Sequence, residues 1–285
     1  MLRCFVTLVA FASLTLVEAA DAVISPAQPD PAGWIVHEVR SEYQSAITQI
    51  RIILPEAPQL EERFPVIYVL PVEAGRESRY GDGLAEINLQ NLNTRHRVIF
   101  VAPTFSQLPW YADHPTDPLI RQESYFLNVV LPFIEREYPA QATLSARLLL
   151  GFSKSGWGAW SLILRHPETF GAAAAWDAPL MMNWPSKYGS QPIFGTQENF
   201  TLYHIRSLLE SCPESLKSQP RLILTGYGGN GTGGFRQEHL DAHGLMERLG
   251  ISHHFRDGPA CKHEWHSGWV AEAVELLLQT SRTIK

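Results

Sequence analysis

Short apolar runs recur along the middle of the chain, with the pattern of strands that are covered on both faces. They lie at residues 66–70, 98–101, 148–150, 172–176 and 222–224. Segments of helical character lie between or after them, at 84–92, 124–138, 158–166, 202–210, 237–249 and 270–279. In the second of these segments, apolar residues recur at the spacing of a helix with one buried face. Strands that alternate with helices predict right-handed crossovers and a mainly parallel sheet.

Residues 34–40 and 46–54 have a different pattern, in which apolar and polar side chains alternate. This is typical of strands that expose one face, and we expect the two segments to pair as antiparallel edge strands. The predicted fold class is therefore α/β, with a mainly parallel central sheet, antiparallel N-terminal edge strands and helices on both faces.

The first nineteen residues have the composition of a secretory signal peptide. Arg3 precedes an uncharged apolar run that extends from Cys4 to Val17, and Val17 and Ala19 supply the small residues for cleavage after Ala19. The run is shorter than the roughly 20 apolar residues that a transmembrane helix needs. The sequence thus predicts a signal peptide at 1–19, a mobile lead-in at 20–33 and one domain at 34–283, in a secreted or periplasmic protein.

Charge and motif spacing narrow the class of partner. The 285-residue chain has a formal net charge of −6 and no run of Lys and Arg. Nucleic acids and anionic membranes both need a clustered positive surface, so we expect small molecules or polysaccharides as partners.

Gly226, Gly228 and Gly231 have the G-x-G-x-x-G spacing of a dinucleotide-binding loop. They follow a late strand, whereas a dinucleotide fingerprint belongs to the first βα unit, so the spacing does not predict dinucleotide binding.

Several late residues are of types that bind zinc, but their spacing matches neither H-E-x-x-H nor a paired C-x-x-C motif. They are His253, His254, Cys261, His263 and His266. We therefore expect no metal and no cofactor. Cys212 and Cys261 are the cysteines that follow the predicted signal peptide, and in an exported protein they form either one disulfide or two unpaired thiols.

The segment 148–160 has the features of a nucleophile elbow centred on Ser153. An apolar run leads into this serine, and Gly151 and Gly156 allow a tight turn from strand to helix. Such a turn exposes the hydroxyl to a histidine that can take its proton. The usual pattern is G-x-S-x-G, whereas Ser155 occupies the last position here.

A serine nucleophile of this fold requires an acid and then a histidine later in the chain. His263 lies between the last apparent strand and the final helix, where the base is expected, and His266 is the alternative. The loop at 226–234 contains no carboxylate. The candidate acids are Asp241 on the following helix, then Asp177 at the end of the preceding strand, then Glu238.

The oxyanion of such a reaction needs two amide donors. The backbone N–H of Lys154, directly after Ser153, is the first. The second is expected from the loop after Leu70, at Val72 or Glu73.

Several separate segments between about 45 and 280 resemble the putative-esterase family of α/β-hydrolases, which includes esterase D, feruloyl esterases and mycolyltransferases. The matching segments are 64–70 before the oxyanion loop, 109–111 with Asp113, 131–135, 166–171, and 263–265 with Trp269. The resemblance implies a serine carboxylic-ester hydrolase that forms an acyl-enzyme and acts on acylated carbohydrates or aromatic esters. Trp110 and Tyr111 are then candidates for lining the acyl or sugar site, with packing inside the core as the alternative.

The chain also departs from the family pattern. Pro71, Val72 and Glu73 replace the His-Gly that often follows the oxyanion strand, and the acid after the penultimate strand is missing. Residues 229–232, with an acid on the next helix, resemble the mycolyltransferase branch, which makes an acyltransferase one alternative and places Asp241 ahead of Asp177. A catalytically silent binding module on the same fold is the other alternative.

Overall fold

The computed structural model describes residues 17–19, 22–229 and 234–284. Most of the predicted signal peptide and residues 230–233 of the glycine-rich loop lie outside the described residues. Across the described ranges, no helix is both long enough and apolar enough to cross a bilayer.

One large mixed sheet forms the centre of the molecule. Its strands follow the order β1-β2-β4-β5-β7-β6-β8-β9-β10-β12, with β3 paired to β4. The pairing is parallel from β7 to β12 and antiparallel on the N-terminal side, so the predicted α/β sheet is confirmed. The strands are β1 (Val17–Ala19), β2 (Ala22–Ile24), β3 (Gln28–Pro29), β4 (Ile35–Ser41), β5 (Thr48–Ile53), β6 (Val66–Val69), β7 (Ile99–Pro103), β8 (Arg147–Phe152), β9 (Ala172–Trp176), β10 (Leu222–Leu224), β11 (Tyr227–Gly228), β12 (His253–Phe255) and β13 (Ala260–Cys261), of which β11 and β13 form a separate pair.

The α-helices occupy most of the segments predicted from apolar spacing. They are α1 (Gly83–Leu89), α2 (Leu92–His96), α3 (Gln122–Tyr125), α4 (Leu131–Glu137), α5 (Ser153–Arg165), α6 (Gln191–Phe194), α7 (Gln197–Tyr203), α8 (Ile205–Glu210), α9 (Glu214–Lys217), α10 (Arg236–Leu249) and α11 (Val270–Ser281). A π-helical turn at Phe126–Val130 joins α3 to α4 and completes the helix expected at 124–138. Short 3₁₀ turns lie at Leu144–Ala146 and Lys187–Gly189.

Two apolar layers cover the sheet, one on each face. In β6, Val66 and Tyr68 point into one layer, and Ile67 and Val69 point into the other. The first layer includes side chains of α5, α8 and α10, and the second includes side chains of α1 and α11. This double coverage explains why the central strands are continuously apolar in sequence.

The N-terminal boundary differs from the sequence prediction. Residues 22–29 do not form a lead-in outside the domain, because β2 and β3 both pair with β4, and Ile24 is buried against the core. Pro29 fits there because β3 is an edge strand, in which a missing N–H costs little. β1 lies within the predicted signal peptide and pairs with β2. Cleavage after Ala19 would remove β1 and leave the pairing between β2 and β4 intact.

Cys212 and Cys261 do not form a disulfide. Cys212 follows α8 and belongs to the layer on one face of the sheet, whereas Cys261 packs against the layer on the other face. The sheet therefore separates the two thiols, and of the two alternatives that the sequence left open, unpaired cysteines are present.

Candidate active site

Ser153 lies at the turn from β8 into α5. Its φ of 52° is in the left-handed region, which a non-glycine residue adopts only when its surroundings hold it there. A Cβ on Gly151 would lie 2.3 Å from the carbonyl oxygen of Ser155, so the turn can close only around a glycine. The predicted elbow thus has the tight geometry that presents a hydroxyl at the carboxyl end of a strand.

Ser155 explains how the elbow tolerates its departure from the usual pattern. Its Oγ donates to the carbonyl of Phe152 at 2.9 Å and accepts from the N–H of Phe152 at 3.0 Å. The side chain is fully buried and joins the first turn of α5 to the last residue of β8. The small residue that the usual pattern has at position 155 is found one residue later, at Gly156. There the helix packs closely on the following loop, because a Cβ on Gly156 would lie 2.8 Å from the Cβ of Ala178.

His263 and Asp177 complete a chain of hydrogen bonds that begins at Ser153. The Nε2 atom of His263 lies 3.0 Å from the Oγ of Ser153, and its Nδ1 lies 2.5 Å from the Oδ2 of Asp177. A carboxylate can only accept, so the proton of the neutral imidazole resides on Nδ1. The lone pair of Nε2 is then directed at the serine hydroxyl, as a general base requires.

Asp177 is fully buried at the end of β9, and several donors support its charge. The N–H of Phe235 donates to its Oδ1 at 2.6 Å. Burial by itself raises the pKa of Asp177, but hydrogen bonds from His263 and from the amides of Gly228 and Phe235 outweigh it and hold that pKa below its usual value. A Cβ on Gly228 would lie 2.1 Å from the Oδ2 of Asp177, so the glycine loop makes room for the carboxylate.

The contacts favour a different acid from the one that the sequence placed first. Asp241 is exposed on α10, where its Oδ1 accepts from the side chain of Gln237 at 2.9 Å. Glu238 accepts from the N–H of Met181 at 2.9 Å and so braces the segment after Asp177. Of the three candidate acids, Asp177 is the one that contacts His263. The signal in the sequence was its position directly after a continuous apolar strand, at the edge where parallel strands place ligands.

The alternative base, His266, contacts an acidic residue instead of the serine. Its Nε2 lies 3.3 Å from the Oε1 of Glu264, and more than half of its side chain is exposed. His263 instead lies among aromatic rings, with centroid distances of 5.0 Å to Phe152 and 5.3 Å to Tyr80. These edge-on contacts fix the plane of the imidazole and exclude water from part of its surface. Sequence spacing did not reveal the contribution of Tyr80.

The predicted oxyanion donors lie on two segments that an ion pair connects. Lys154 is the second residue of α5, and the amides of a first helical turn have no partner within the helix. The Nζ atom of Lys154 lies 3.7 Å from the Oε1 of Glu73, and only 12% of each side chain is exposed. Burial lowers the pKa of Lys154, and Glu73 acts in the opposite direction. Val72, beside Glu73, is buried. The ion pair between Lys154 and Glu73 therefore fastens the loop after β6 to the elbow.

Trp110 and Tyr111 do not line a cleft, because both side chains are fully buried. Trp110 packs edge-on against Trp157 of α5, with ring centroids 5.5 Å apart. The hydroxyl of Tyr111 donates to the carbonyl of Pro71 at 2.6 Å, and its ring fills the space beside Gly158, where a Cβ would approach it to 2.0 Å. Of the two sequence alternatives, packing is present, and Tyr111 supports the loop that contains Val72 and Glu73.

We expect Tyr111→Phe to slow turnover without weakening substrate binding. Loss of the hydrogen bond to Pro71 frees the loop that is expected to supply the second amide donor, at a cost of about 1 kcal/mol, so kcat should fall roughly fivefold. Steady-state ester hydrolysis measures the effect. Tyr125→Phe is the matched control, because it also removes a buried hydroxyl, one that accepts from Thr48 at 2.8 Å. An equal loss of kcat in both variants would show that Tyr111 acts only through general stability.

The sheet order and the hydrogen-bonded serine, histidine and aspartate define the chain as a protein of the α/β-hydrolase fold. The sequence profile described as "Putative esterase" matches residues 41–203, more than half of the chain. The chain therefore belongs to the putative-esterase family, and the resemblance noted from its motifs is confirmed.

Solved structures show the same fold at low sequence identity. A ferulic acid esterase superposes with a TM-score of 0.69 at 20% identity, over 87% of this chain and 97% of its own. An S-formylglutathione hydrolase from Agrobacterium tumefaciens has a TM-score of 0.69 at 15% identity, over 90% and 99%. MPT51 (FbpC1) from Mycobacterium tuberculosis has a TM-score of 0.63 at 14% identity, over 92% and 100%. A sequence search of curated proteins gave no match.

Proposed function

We propose that the protein is a serine carboxylic-ester hydrolase that works through an acyl-enzyme intermediate. The observation that carries the proposal is the continuous hydrogen-bonded chain from the Oγ of Ser153 through His263 to the buried Asp177. The nucleophile is hydrogen-bonded to the base, and the base to the acid that orients it, as this chemistry requires. All three lie at the edge of the sheet where the strands end. Membership of an esterase family supports the same reaction class.

In the first half of the proposed reaction, Nε2 of His263 takes the proton of Ser153 as the serine oxygen attacks the ester carbonyl. The amide of Lys154, with that of Val72 or Glu73, stabilises the negative charge on the carbonyl oxygen. His263 then gives its proton to the leaving alcohol, and the acyl group remains on Ser153.

In the second half, water attacks the acyl-enzyme while His263 accepts one of its protons. The same amides hold the second oxyanion, the acid is released, and the proton returns to Ser153. Asp177 keeps the imidazole in its Nδ1–H tautomer and stabilises the imidazolium that forms in each half. The hydrogen bonds that hold the pKa of Asp177 low keep it ionised for this role.

Aromatic esters or acylated sugars are the substrate class that the surroundings of the site favour. Phe235 lies 6.0 Å from the ring of His263, and Tyr188 packs edge-on against Phe235 at 5.5 Å. Nearly half of the Tyr188 side chain is exposed, so an apolar surface extends from the base toward solvent. Flat acyl groups and sugar rings both stack on such surfaces. Export, proposed from Arg3 and the apolar run that follows it, would give access to extracellular esters of this kind.

The contacts of the acidic residues bear on the two alternatives, an acyltransferase and a catalytically silent binding module. The likeness to mycolyltransferases depended on an acid from the helix after the glycine loop, and Asp241 does not contact His263. A silent binding module was favoured by the missing loop acid and by the altered oxyanion motif, and the contacts of Asp177 with His263 remove the first of these two grounds. Hydrolysis is therefore the function that the contacts favour.

Labelling with a fluorophosphonate probe tests the proposal. We expect one equivalent of probe to attach to Ser153 of the native protein, because only an activated serine displaces fluoride at neutral pH. Peptide mass spectrometry identifies the labelled residue. Absence of labelling in folded protein would overturn the proposal.

A further inference from the structure

A second cluster of chemically active side chains lies where α10 ends and β12 begins. His243 and Glu247 are one helical turn apart on α10, and His253 is the first residue of β12, the edge strand of the sheet. One ligand atom from each of these three residues lies within 4.8 Å of the other two. None of them takes part in the serine site.

The two imidazoles are held with their ring nitrogens facing each other. The Nδ1 atom of His253 lies 2.7 Å from the carbonyl of Ile251, which can only accept, so Nδ1 carries the proton. The lone pair of His253 Nε2 is therefore directed at His243 Nδ1, 2.7 Å away. The ring of His243 stacks on Phe255 at 4.0 Å. A hydrogen bond that fixes the tautomer of an imidazole and orients its free nitrogen is typical of metal ligands.

We propose that His243, Glu247 and His253 bind a divalent transition-metal ion of the zinc, nickel or copper class. The ion takes the place of the hydrogen shared by the two imidazoles, and the proton on His243 Nδ1 moves to its Nε2, so binding needs no further reactant. Tetrahedral zinc with Zn–N bonds of about 2.0 Å separates its two nitrogens by roughly 3.3 Å, a small opening from the present distance.

Glu247 supplies the third ligand. Its Oε1 lies 4.0 Å from His253 Nε2, and most of its side chain is exposed, so a rotamer change brings the carboxylate to the ion. Solvent has access to the cluster through Glu247 and can fill a fourth position. Two imidazoles and one carboxylate favour zinc, nickel and copper over magnesium and calcium, which prefer oxygen ligands.

This site differs from the cluster considered from the sequence. Within that earlier set, His263 serves the serine, and His254 faces the hydroxyl of Thr280. Only His253 is shared. The expectation of no metal was based on residue spacing along the sequence. The three residues of this cluster lie on a helix and on the following strand, and the fold brings them together.

Titration of untagged, EDTA-treated full-length protein tests the proposal. With Zn²⁺ in a calorimeter we expect one equivalent to bind with micromolar affinity or better, and no heat with Mg²⁺. With Co²⁺ we expect the visible absorption of a tetrahedral site. At a hundredfold excess over Kd, Zn²⁺ should raise Tm by about 5 °C, since it binds the folded state alone.

Variants distinguish Zn²⁺ binding at this site from nonspecific binding of Zn²⁺ to other histidines. His243→Gln and His253→Gln should each abolish Zn²⁺ binding, and Glu247→Gln should weaken it roughly tenfold. His254→Gln, at the neighbouring position outside the cluster, is the control and should bind Zn²⁺ as the native protein does. Circular dichroism verifies folding of each variant. No Zn²⁺ binding to the native protein, or equal binding to the folded His243 and His253 variants, would overturn the proposal.

Discussion

Ser153→Ala should abolish ester hydrolysis, with kcat on p-nitrophenyl acetate falling by about 10⁴-fold or more. The substitution removes the atom that forms the acyl-enzyme, while the amides and the imidazole remain in place. Initial rates at saturating ester measure the loss. The fold should persist, because the change deletes one oxygen at a position that is only slightly exposed.

Ser161→Ala is the matched control for this experiment. Ser161 is also a buried serine of α5, and its Oγ donates to the carbonyl of Tyr203 rather than contacting the site. We expect its rate to match that of the native protein within a factor of two or so, given the small effect of one neutral hydrogen bond. Hydrolysis that survives unchanged in Ser153→Ala would defeat the assignment of the nucleophile.

Asp177→Asn should lower kcat by about 10⁴-fold while leaving the fold intact. Asparagine tolerates the left-handed backbone at this position, where φ is 40°, and its oxygen can still accept from Phe235. Its amide cannot, however, stabilise an imidazolium or hold His263 in the Nδ1–H tautomer. Steady-state rates across pH 6 to 9, with thermal melting as a folding check, provide the measurement.

Asp241→Asn is the companion variant, since the sequence alone favoured that residue. Its carboxylate bonds to Gln237 on the surface of α10, and we expect kcat to be unchanged. If Asp241→Asn loses activity and Asp177→Asn retains it, the acid assigned by the contacts is wrong.

The elements that sequence patterning predicted well are those with the strongest burial signal. Apart from Arg147 at the start of β8, the strands β6 to β10 are apolar because helices cover both faces, and this signal is independent of distant contacts. The N-terminal boundary was missed because the prolines at 26–31 suggested an unpaired segment. An edge strand tolerates Pro29, and only pairing with β4 shows that this segment belongs to the sheet.

Within the candidate site, local features were predictable and long-range pairings were not. Ser153 could be proposed because the elbow is encoded within a few residues, and His263 because its loop precedes the last helix. Asp177 was ranked second because the resemblance of residues 229–232 to the mycolyltransferase branch favoured an acid on the next helix, Asp241. In the fold, Gly228 from that later loop closes over Asp177 of the earlier one, and the amide of Phe235 binds it. A glycine-rich stretch without a carboxylate gives no linear sign of this contact.

The position of Tyr111 has a practical consequence for anyone who engineers the protein. Its ring packs on Gly158 inside the core, while its hydroxyl donates to the carbonyl of Pro71, which leads into the loop of Val72 and Glu73. Selection for heat resistance commonly enlarges side chains in such a layer. At Gly158, added volume would displace the ring and loosen the loop, so we expect variants chosen for thermal endurance to hydrolyse esters more slowly although Ser153, His263 and Asp177 are unchanged.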